Sequence, residues 1–392
     1  MKKVGIITHY YQSTNYGGCL QAYAMAKVVE DLGYQAEQIC YPTSYKSYRK
    51  VQNMGIARRI LKNGPRWLFG ALKRRVLRKL GDKIEKKERV RARRKQAFVG
   101  FVEGKIPHSS KVYTAETVGE CVNDYDIFLT GSDQVWNVNW YNPAFFLDFA
   151  PSEKRKISYA ASISMDNLSG EEKSIFQKHL QDFAAVGVRE KRAEELLQDL
   201  SPVPPTTVLD PTLLLTKEEW DKVCSKRLIE EKYVVCYFLG NNKKERKIAK
   251  KFAQKYGLTL VTIPYASGRE IWMTDKKFGG KQMIEASPED FLSLIKHAEY
   301  VFTDSFHAVV FSNVYQKQYF VFNRSARGEM SVRITNITEI FGTSERFCAG
   351  KKENLAYVES LTDIDYTQEN TRLEEWKEHS FTYLKTALGE VV

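Results

Sequence analysis

The sequence predicts an α/β fold of two consecutive parallel-sheet domains, and three observations carry that prediction. Short apolar strands alternate with helical segments along most of the 392 residues, the pattern of βαβ units. The alternation falls into two blocks, residues 1–215 and 232–392, joined by a short polar stretch. With 43% hydrophobic and 28% charged residues, the chain has enough apolar material for two cores, and its length also favours two domains.

The first block opens with a strand from Val4 to Thr8. A polar turn follows, Gln12-Ser13-Thr14-Asn15-Tyr16-Gly17-Gly18, and then a helix from about Cys19 to Leu32 with Gly33 as its C-terminal cap. Gln35 to Tyr41 is the second strand. After an interruption the alternation resumes with strands at Asp126–Thr130 and Lys156–Ser162, a helix at Glu171–Phe183, a short strand at Val186–Val188 and a helix at Glu190–Leu200. Val208-Leu209 then runs into Asp210-Pro211-Thr212, where proline ends any ladder.

The interruption, about residues 44–98, reads as one or two basic amphipathic helices inserted into the first domain. Between Tyr41 and Gly100 stand 20 Lys/Arg against 3 Asp/Glu, a local charge of +17 within a chain of net charge +12. Trp67, Leu68 and Phe69 on a basic helix fit an anionic membrane surface. A solvated helical insertion fits equally well, and liposome flotation at low salt separates the two. No recognition-helix or RNA-binding signature accompanies the charge, so nucleic acid is not an expected partner.

Thr216-Lys217-Glu218-Glu219 is a capping box near the domain junction. The second block then runs through a strand at Tyr233–Leu239, a helix at Lys243–Tyr256 and a strand at Leu258–Ile263. Ser287 and Pro288 open a helix that ends near Ala298. A strand at Tyr300–Thr303, a helix at Phe306–Tyr315 and a strand at Gln318–Phe322 follow. The last helix, Thr371–Leu388, is expected to pack back on the first domain.

Met1 to His9 does not read as a signal peptide, because its apolar run is short and breaks at His9-Tyr10-Tyr11-Gln12. No stretch approaches the ~20 apolar residues of a membrane-spanning helix, so a cytoplasmic location is expected, at most peripheral to a membrane. Cys19, Cys40, Cys121, Cys224, Cys236 and Cys348 are scattered without a CxxC pair, which speaks against structural zinc and a disulfide framework.

Ligands of parallel α/β sheets sit beyond the carboxyl ends of the strands, and four groups of polar residues fall there. Asn15-Tyr16-Gly17-Gly18 leads into a helix N-terminus, so it is either an anion site or a plain turn that needs glycine. In Gly131-Ser132-Asp133-Gln134-Val135-Trp136-Asn137, Asp133 is a candidate acid, base or sugar-hydroxyl acceptor. Ser132 lines the same turn, and Trp136 either stacks on a sugar or fills the core. Thr303-Asp304-Ser305-Phe306-His307 places His307 in the first helical turn, where histidine exchanges protons near neutral pH or is satisfied structurally. Arg189, Arg324, Arg327 and Arg333 follow strands, and arginine binds carboxylate and phosphate through two parallel hydrogen bonds.

In this order, NYGGCLQAYA, FLTGSDQVWN, SYAAS, GVRE, LDPT, TDSFHAVVFS and VFNR, the motifs resemble the polysaccharide pyruvyl transferase family from about Val4 to Arg333. The resemblance implies two Rossmann-like domains in a GT-B-like arrangement with a cleft between them. It implies phosphoenolpyruvate as donor, a sugar of a surface polysaccharide or its lipid-linked precursor as acceptor, a pyruvate ketal as product, and no metal or organic cofactor. Better-understood branches carry arginine two residues before the motif histidine, where this chain has Ser305. Either Arg189, Arg324 or Arg333 supplies that charge, or this branch uses a different donor.

On this reading His307 is the general acid and Asp133 the base for the acceptor hydroxyl. Asn15, Tyr16, Gly17, Gly18, Ser132, Trp136, Arg189, Asp304, Ser305, Arg324 and Arg333 contact donor or acceptor. Two alternatives stay open: a GT-B-like glycosyltransferase with a nucleotide-sugar donor, and a non-catalytic glycan-binding relative.

Overall fold

The computed structural model describes residues 1–42, 85–241, 243–267, 270–271, 274–275, 278–324 and 331–390. The first sheet contains β1 (Lys3–Ile7), β2 (Gln35–Cys40), β3 (His108–Val112), β4 (Ile127–Thr130), β5 (Arg155–Ala161), β6 (Phe183–Val188) and β7 (Pro205–Thr207). Their spatial order is β3-β2-β1-β4-β5-β6-β7, with every pairing parallel. The second sheet contains β8 (Tyr233–Tyr237) and β9 (Thr259–Thr262). After a small antiparallel hairpin, β10 (Ala266–Ser267) with β11 (Glu270–Ile271), come β12 (Lys281–Gln282), β13 (Tyr300–Thr303), β14 (Gln318–Phe322) and β15 (Phe347–Cys348). Its order is β12-β9-β8-β13-β14-β15, also all parallel.

Ile127-Phe128-Leu129-Thr130 and Tyr233-Val234-Val235-Cys236-Tyr237 are buried along their whole length. Both are continuous runs without polar alternation because helices cover both faces of a parallel sheet. The helices are α1 (Tyr16–Asp31), α2 (Glu85–Lys105), α3 (Gly170–His179), α4 (Lys191–Leu197), α5 (Lys217–Val223), α6 (Lys243–Lys255), α7 (Pro288–Lys296), α8 (Phe306–Val314), α9 (Ser331–Phe341), α10 (Leu355–Ser360) and α11 (Tyr366–Leu388). Capping boxes at Ser169, Thr216 and Ser287 open α3, α5 and α7. Gly33 follows α1 with φ +86°, a left-handed conformation that only glycine adopts without steric cost.

Several elements differ from the sequence reading. The helix expected to reach Phe183 ends at His179, because Phe183 pairs with Lys156 as the first residue of β6. The glycine turn is not a loop before α1: Asn15 is the N-cap, and Tyr16, Gly17 and Gly18 form the first turn. The strands β3, β7, β10, β11, β12 and β15 and the helices α9 and α10 escaped the sequence reading; the strands are short or polar, HSSKV in the case of β3.

Strand order reverses between β1 and β4 in one sheet and between β8 and β13 in the other. The carboxyl ends at these two switch points face each other. The long α11 crosses back onto the first sheet, where Tyr383 donates to Ser158 O (2.9 Å), Arg155 Nε donates to Ala387 O (2.7 Å) and Leu209 N donates to Ser380 Oγ (3.0 Å).

Trp67, Leu68, Phe69 and the rest of the basic insertion up to residue 84 lie outside the described residues. The described end of the insertion, α2, packs against α1 and α7 through buried Arg94, Phe98, Phe101 and Val102. Among the described residues no helix is long and apolar enough to cross a membrane.

Candidate active site

The two switch points meet where α1 and α8 present their first turns to one another. The imidazole of His307 lies directly over Gly17: a Cβ at that glycine would stand 2.0 Å from Nδ1 and 2.5 Å from both Cγ and Cε1. Gly18 is equally constrained, since its Cβ would stand 2.4 Å from His9 O. Both glycines are there for close approach. Asn15 accepts from Gly18 N (3.5 Å) and so caps its own helix.

Tyr16 is buried, stacked on Phe291 with ring centroids 4.6 Å apart. Its hydroxyl donates to Ala286 O (2.8 Å) and accepts from Arg94 Nη1 (2.8 Å). Arg94 also donates to Ile284 O (3.1 Å) and Thr14 O (3.4 Å). Tyr16 therefore joins the two domains and does not face a substrate.

Trp136 is likewise a core residue. It is 1% exposed, stacked on Phe146, edge-on to Phe176 and Phe183, and its Nε1 donates to Phe145 O (3.0 Å). The sugar-stacking role fails because those three aromatic rings enclose it. Replacing Trp136 with Ala is expected to destabilise the fold by about 3–5 kcal/mol, read from a denaturant melt. A variant that melts like the parent would return Trp136 to the surface.

Beyond β4, Ser132 N donates to Gln21 Oε1 (3.0 Å), and its Oγ donates to Asp210 Oδ2 (2.9 Å) and Ala160 O (3.1 Å). Ser132 thus braces the turn that carries Asp133. Arg189, at the end of β6, sits in a cage of carboxylates: Nη1 donates to Asp210 (2.8 Å), Nη2 to Asp133 (3.1 Å) and Nε to Glu190 (3.3 Å). Phe306 of the second domain lies across its guanidinium face at 4.2 Å. Burial opposes the charge, but the three carboxylates outweigh it and hold Arg189 firmly cationic. Arg189 therefore orders the site; its charge is already taken by protein carboxylates, contrary to the expectation that it binds a donor anion.

Burial raises the pKa of Asp133, yet the charges of Arg189, His307, Arg333 and His9 together hold it below the ordinary carboxylate value. Asp210 is depressed as well, burial being outweighed by His307, Arg189 and the Thr212 hydroxyl. His307 Nε2 stands 3.7 Å from Asp210 Oδ2. That nitrogen is buried and has no hydrogen-bond partner among the described residues.

Across the junction, Asp304 accepts from Leu239 N (2.6 Å) and Gly240 N (2.7 Å), so its carboxylate ties β13 to the loop after β8. Ser305 is the N-cap residue of α8, but its side chain makes no capping bond. Arg324 Nη2 donates to Asp304 O (3.4 Å), and Arg333 Nη1 stands 3.8 Å from Asp133 Oδ1. Arg327 lies outside the described residues.

The structure thus brings His307, Asp133, Ser305, Arg324 and Arg333 to one place, with Arg189 and Ser132 bracing it. Asn15, Gly17, Gly18 and Asp304 shape its walls, while Tyr16 and Trp136 are packed away. Sequence reasoning passed over Asp210, Glu190, His9, Gln21 and Arg94. Asp210 carried the best signal: an acidic residue directly after the apolar pair Val208-Leu209 and before proline.

A family model for polysaccharide pyruvyl transferase matches residues 15–325 of the chain. No curated protein matches it. Among solved structures, a putative UDP-N-acetylglucosamine 2-epimerase from Listeria monocytogenes is similar at TM-score 0.56 and 11% identity, covering 100% of this chain and 97% of that one. The UDP-N-acetylglucosamine 2-epimerase from Rickettsia bellii is similar at TM-score 0.52 and 12% identity, over 98% and 96% of the two chains. That from Methanocaldococcus jannaschii is similar at TM-score 0.51 and 11% identity, over 93% of each. At such identities the likeness concerns the fold alone: two parallel-sheet α/β units in the GT-B-like arrangement.

Proposed function

Because the chain belongs to the polysaccharide pyruvyl transferase family, a family of transferases, we propose that it moves pyruvate from phosphoenolpyruvate onto two hydroxyls of one sugar in a bacterial polysaccharide or its lipid-linked precursor. The observation that carries this reading is His307 Nε2. It is a buried ring nitrogen without a hydrogen-bond partner among the described residues, held between the two domains and 3.7 Å from the Asp210 carboxylate.

Ketal formation from an enol phosphate requires a proton donor at the methylene carbon. His307 gives that proton, making a methyl group and an oxocarbenium-like carbon next to it. One sugar hydroxyl adds to this carbon, and its proton returns to the site. The C–O bond to phosphate then breaks, phosphate leaves with the electron pair and a proton, and the second hydroxyl closes the ketal. Of the two hydroxyl protons, one ends in the methyl group and the other on phosphate.

Asp133, held ionised by the cations around it, orients the attacking hydroxyl and accepts its proton as the new C–O bond makes that hydroxyl acidic. Asp210 stabilises the charged imidazole. Fixed charges preorganised in a buried site are typically a large part of catalysis. The membrane-surface role of residues 44–98 remains a proposal from sequence, one that suits a lipid-linked acceptor.

The test is thermal stabilisation of the purified chain by phosphoenolpyruvate, UDP and GDP, titrated separately. Ligand at one hundred times its Kd stabilises the native state by about 2.7 kcal/mol. A saturable rise in melting temperature with phosphoenolpyruvate but neither nucleotide is the expected result. A rise with a nucleotide alone would replace this reading with the nucleotide-sugar glycosyltransferase.

A further inference from the structure

We propose that His9 is a second proton-transfer residue of the site: its neutral imidazole is the base that keeps the proton which Asp133 takes from the attacking hydroxyl. That the hydroxyl attacks a carbon of phosphoenolpyruvate rests on the pyruvyl-transfer reading; the coupling of His9 to Asp133 does not.

His9 stands two residues beyond the carboxyl end of β1, at the switch point of the first sheet. Its carbonyl oxygen lies against Gly18, where a Cβ would stand 2.4 Å away, so the residue is fixed to the first turn of α1. Ring Nε2 is 3.3 Å from Gln134 O. A carbonyl oxygen only accepts, so Nε2 carries the hydrogen and Nδ1 keeps its lone pair. Nδ1 is buried and has no hydrogen-bond partner among the described residues. Phe145 stands against the imidazole, edge-on, with ring centroids 4.3 Å apart, and so steadies its plane. A buried acceptor left open costs stability, and this one opens beside the acidic cluster of the site.

Two observations tie that ring to Asp133. Gln134, whose carbonyl fixes the imidazole, directly follows Asp133 in the chain. Each group also feels the other's charge: Asp133 raises the pKa of His9, and protonated His9 lowers that of Asp133. Burial outweighs the carboxylate and leaves His9 below the ordinary histidine value, so the ring is uncharged at neutral pH. Among the described residues Asp133 is the charged side chain that bears on His9. Phe145, Gly18 and the Gln134 carbonyl, which pack around it, bring no charge.

Asp133 alone makes a poor base. Arg189, His307, Arg333 and His9 hold it below the ordinary carboxylate value, whereas a base works best with a pKa near the operating pH. A neutral imidazole is the stronger base by a wide margin. The sugar O–H bond breaks as its oxygen bonds to the ketal carbon, and the proton passes through Asp133 to the lone pair of His9 Nδ1, which makes an imidazolium. When the C–O bond to phosphate breaks and phosphate leaves with the electron pair, that proton follows it and His9 is neutral again. The second hydroxyl returns its proton to His307. Each histidine ends the cycle as it began, one from the loop after β1 and one from α8, with Asp133 under the influence of both.

The test joins NMR of isotope-labelled histidine with steady-state kinetics, both on the full chain. The His9 signal, assigned by its loss in H9Q, is expected to show hydrogen on Nε2 at neutral pH and a midpoint below the ordinary ~6.5. D133N removes the carboxylate that raises this midpoint and is expected to lower it by about one pH unit. H9Q keeps an N–H for Gln134 O but has no lone pair to accept a proton. It is expected to lower kcat on the order of 10²-fold, with KM for phosphoenolpyruvate nearly unchanged. The acid limb of the kcat profile should vanish with it, because a base of lowered pKa fails only below its own midpoint. H9N takes the place of H9Q if that variant fails to fold. A His9 midpoint that D133N does not move, or a folded H9Q with the parent's kcat and acid limb, overturns the proposal and leaves pyruvyl transfer standing. A parent with the His9–Asp133 coupling but no transfer from phosphoenolpyruvate to any sugar overturns pyruvyl transfer and keeps His9 as the neutral base beside Asp133.

Discussion

Glutamine in place of His307 is expected to lower the turnover rate on the order of 10²–10⁴-fold, the usual contribution of a general acid–base group. Glutamine keeps much of the size and polarity of the ring but cannot deliver a proton to carbon. The loss should therefore fall on kcat, with phosphoenolpyruvate affinity nearly retained, because the substitution leaves the cations of the cleft in place. The measurement is steady-state pyruvyl transfer to a matched acceptor, paired with a thermal melt to show that the variant folds. A folded variant within tenfold of the parent would end the role of His307 as the acid. His307, carried by the second domain, also packs on the first, being 3.7 Å from Asp210 and against Gly17, so the melt belongs in the experiment.

The second large effect is expected at a residue with no chemistry of its own. Alanine at Gly17 would put a methyl group 2.0 Å from His307 Nδ1, well inside van der Waals contact. Either the ring swings away from Asp210 or α1 and α8 move apart. Overpacking of this kind typically costs about 1–3 kcal/mol of stability. The loss in rate should be larger in proportion, roughly 10²-fold, since misplacing a reacting group by 1 Å is worth that much.

A double-mutant cycle separates displacement of the ring from damage to α1. With His307 already truncated to alanine, the methyl at residue 17 has room, and adding it should cost little further stability or activity. If G17A retains full activity, or if its cost is the same with and without the imidazole, the contact does not hold His307 in place.

Much of the architecture was legible because it is written locally. Ser287-Pro288 and Thr216-Lys217-Glu218-Glu219 announce helix starts through bonds between residues three apart, and those bonds form. The apolar runs at Ile127–Thr130 and Tyr233–Tyr237 are central strands because parallel sheets bury both faces. The helix after residue 170 was read too long because the helical pattern does not show that Phe183 pairs with Lys156. The strand β3 was missed because HSSKV has no apolar alternation and is held by pairing with β2.

By itself the sequence determined the two-block α/β order, the helix caps and the set of polar clusters at strand ends, since each depends on residues close together in the chain. Tertiary structure alone decided which of those polar residues keep free chemistry. Gly17 meets His307 across 290 positions, Arg189 meets Asp133 and Asp210, and Trp136 vanishes behind Phe146, Phe176 and Phe183. A buried charge or ring is defined by its partners, and partners brought together from distant strands leave no periodic trace in the sequence.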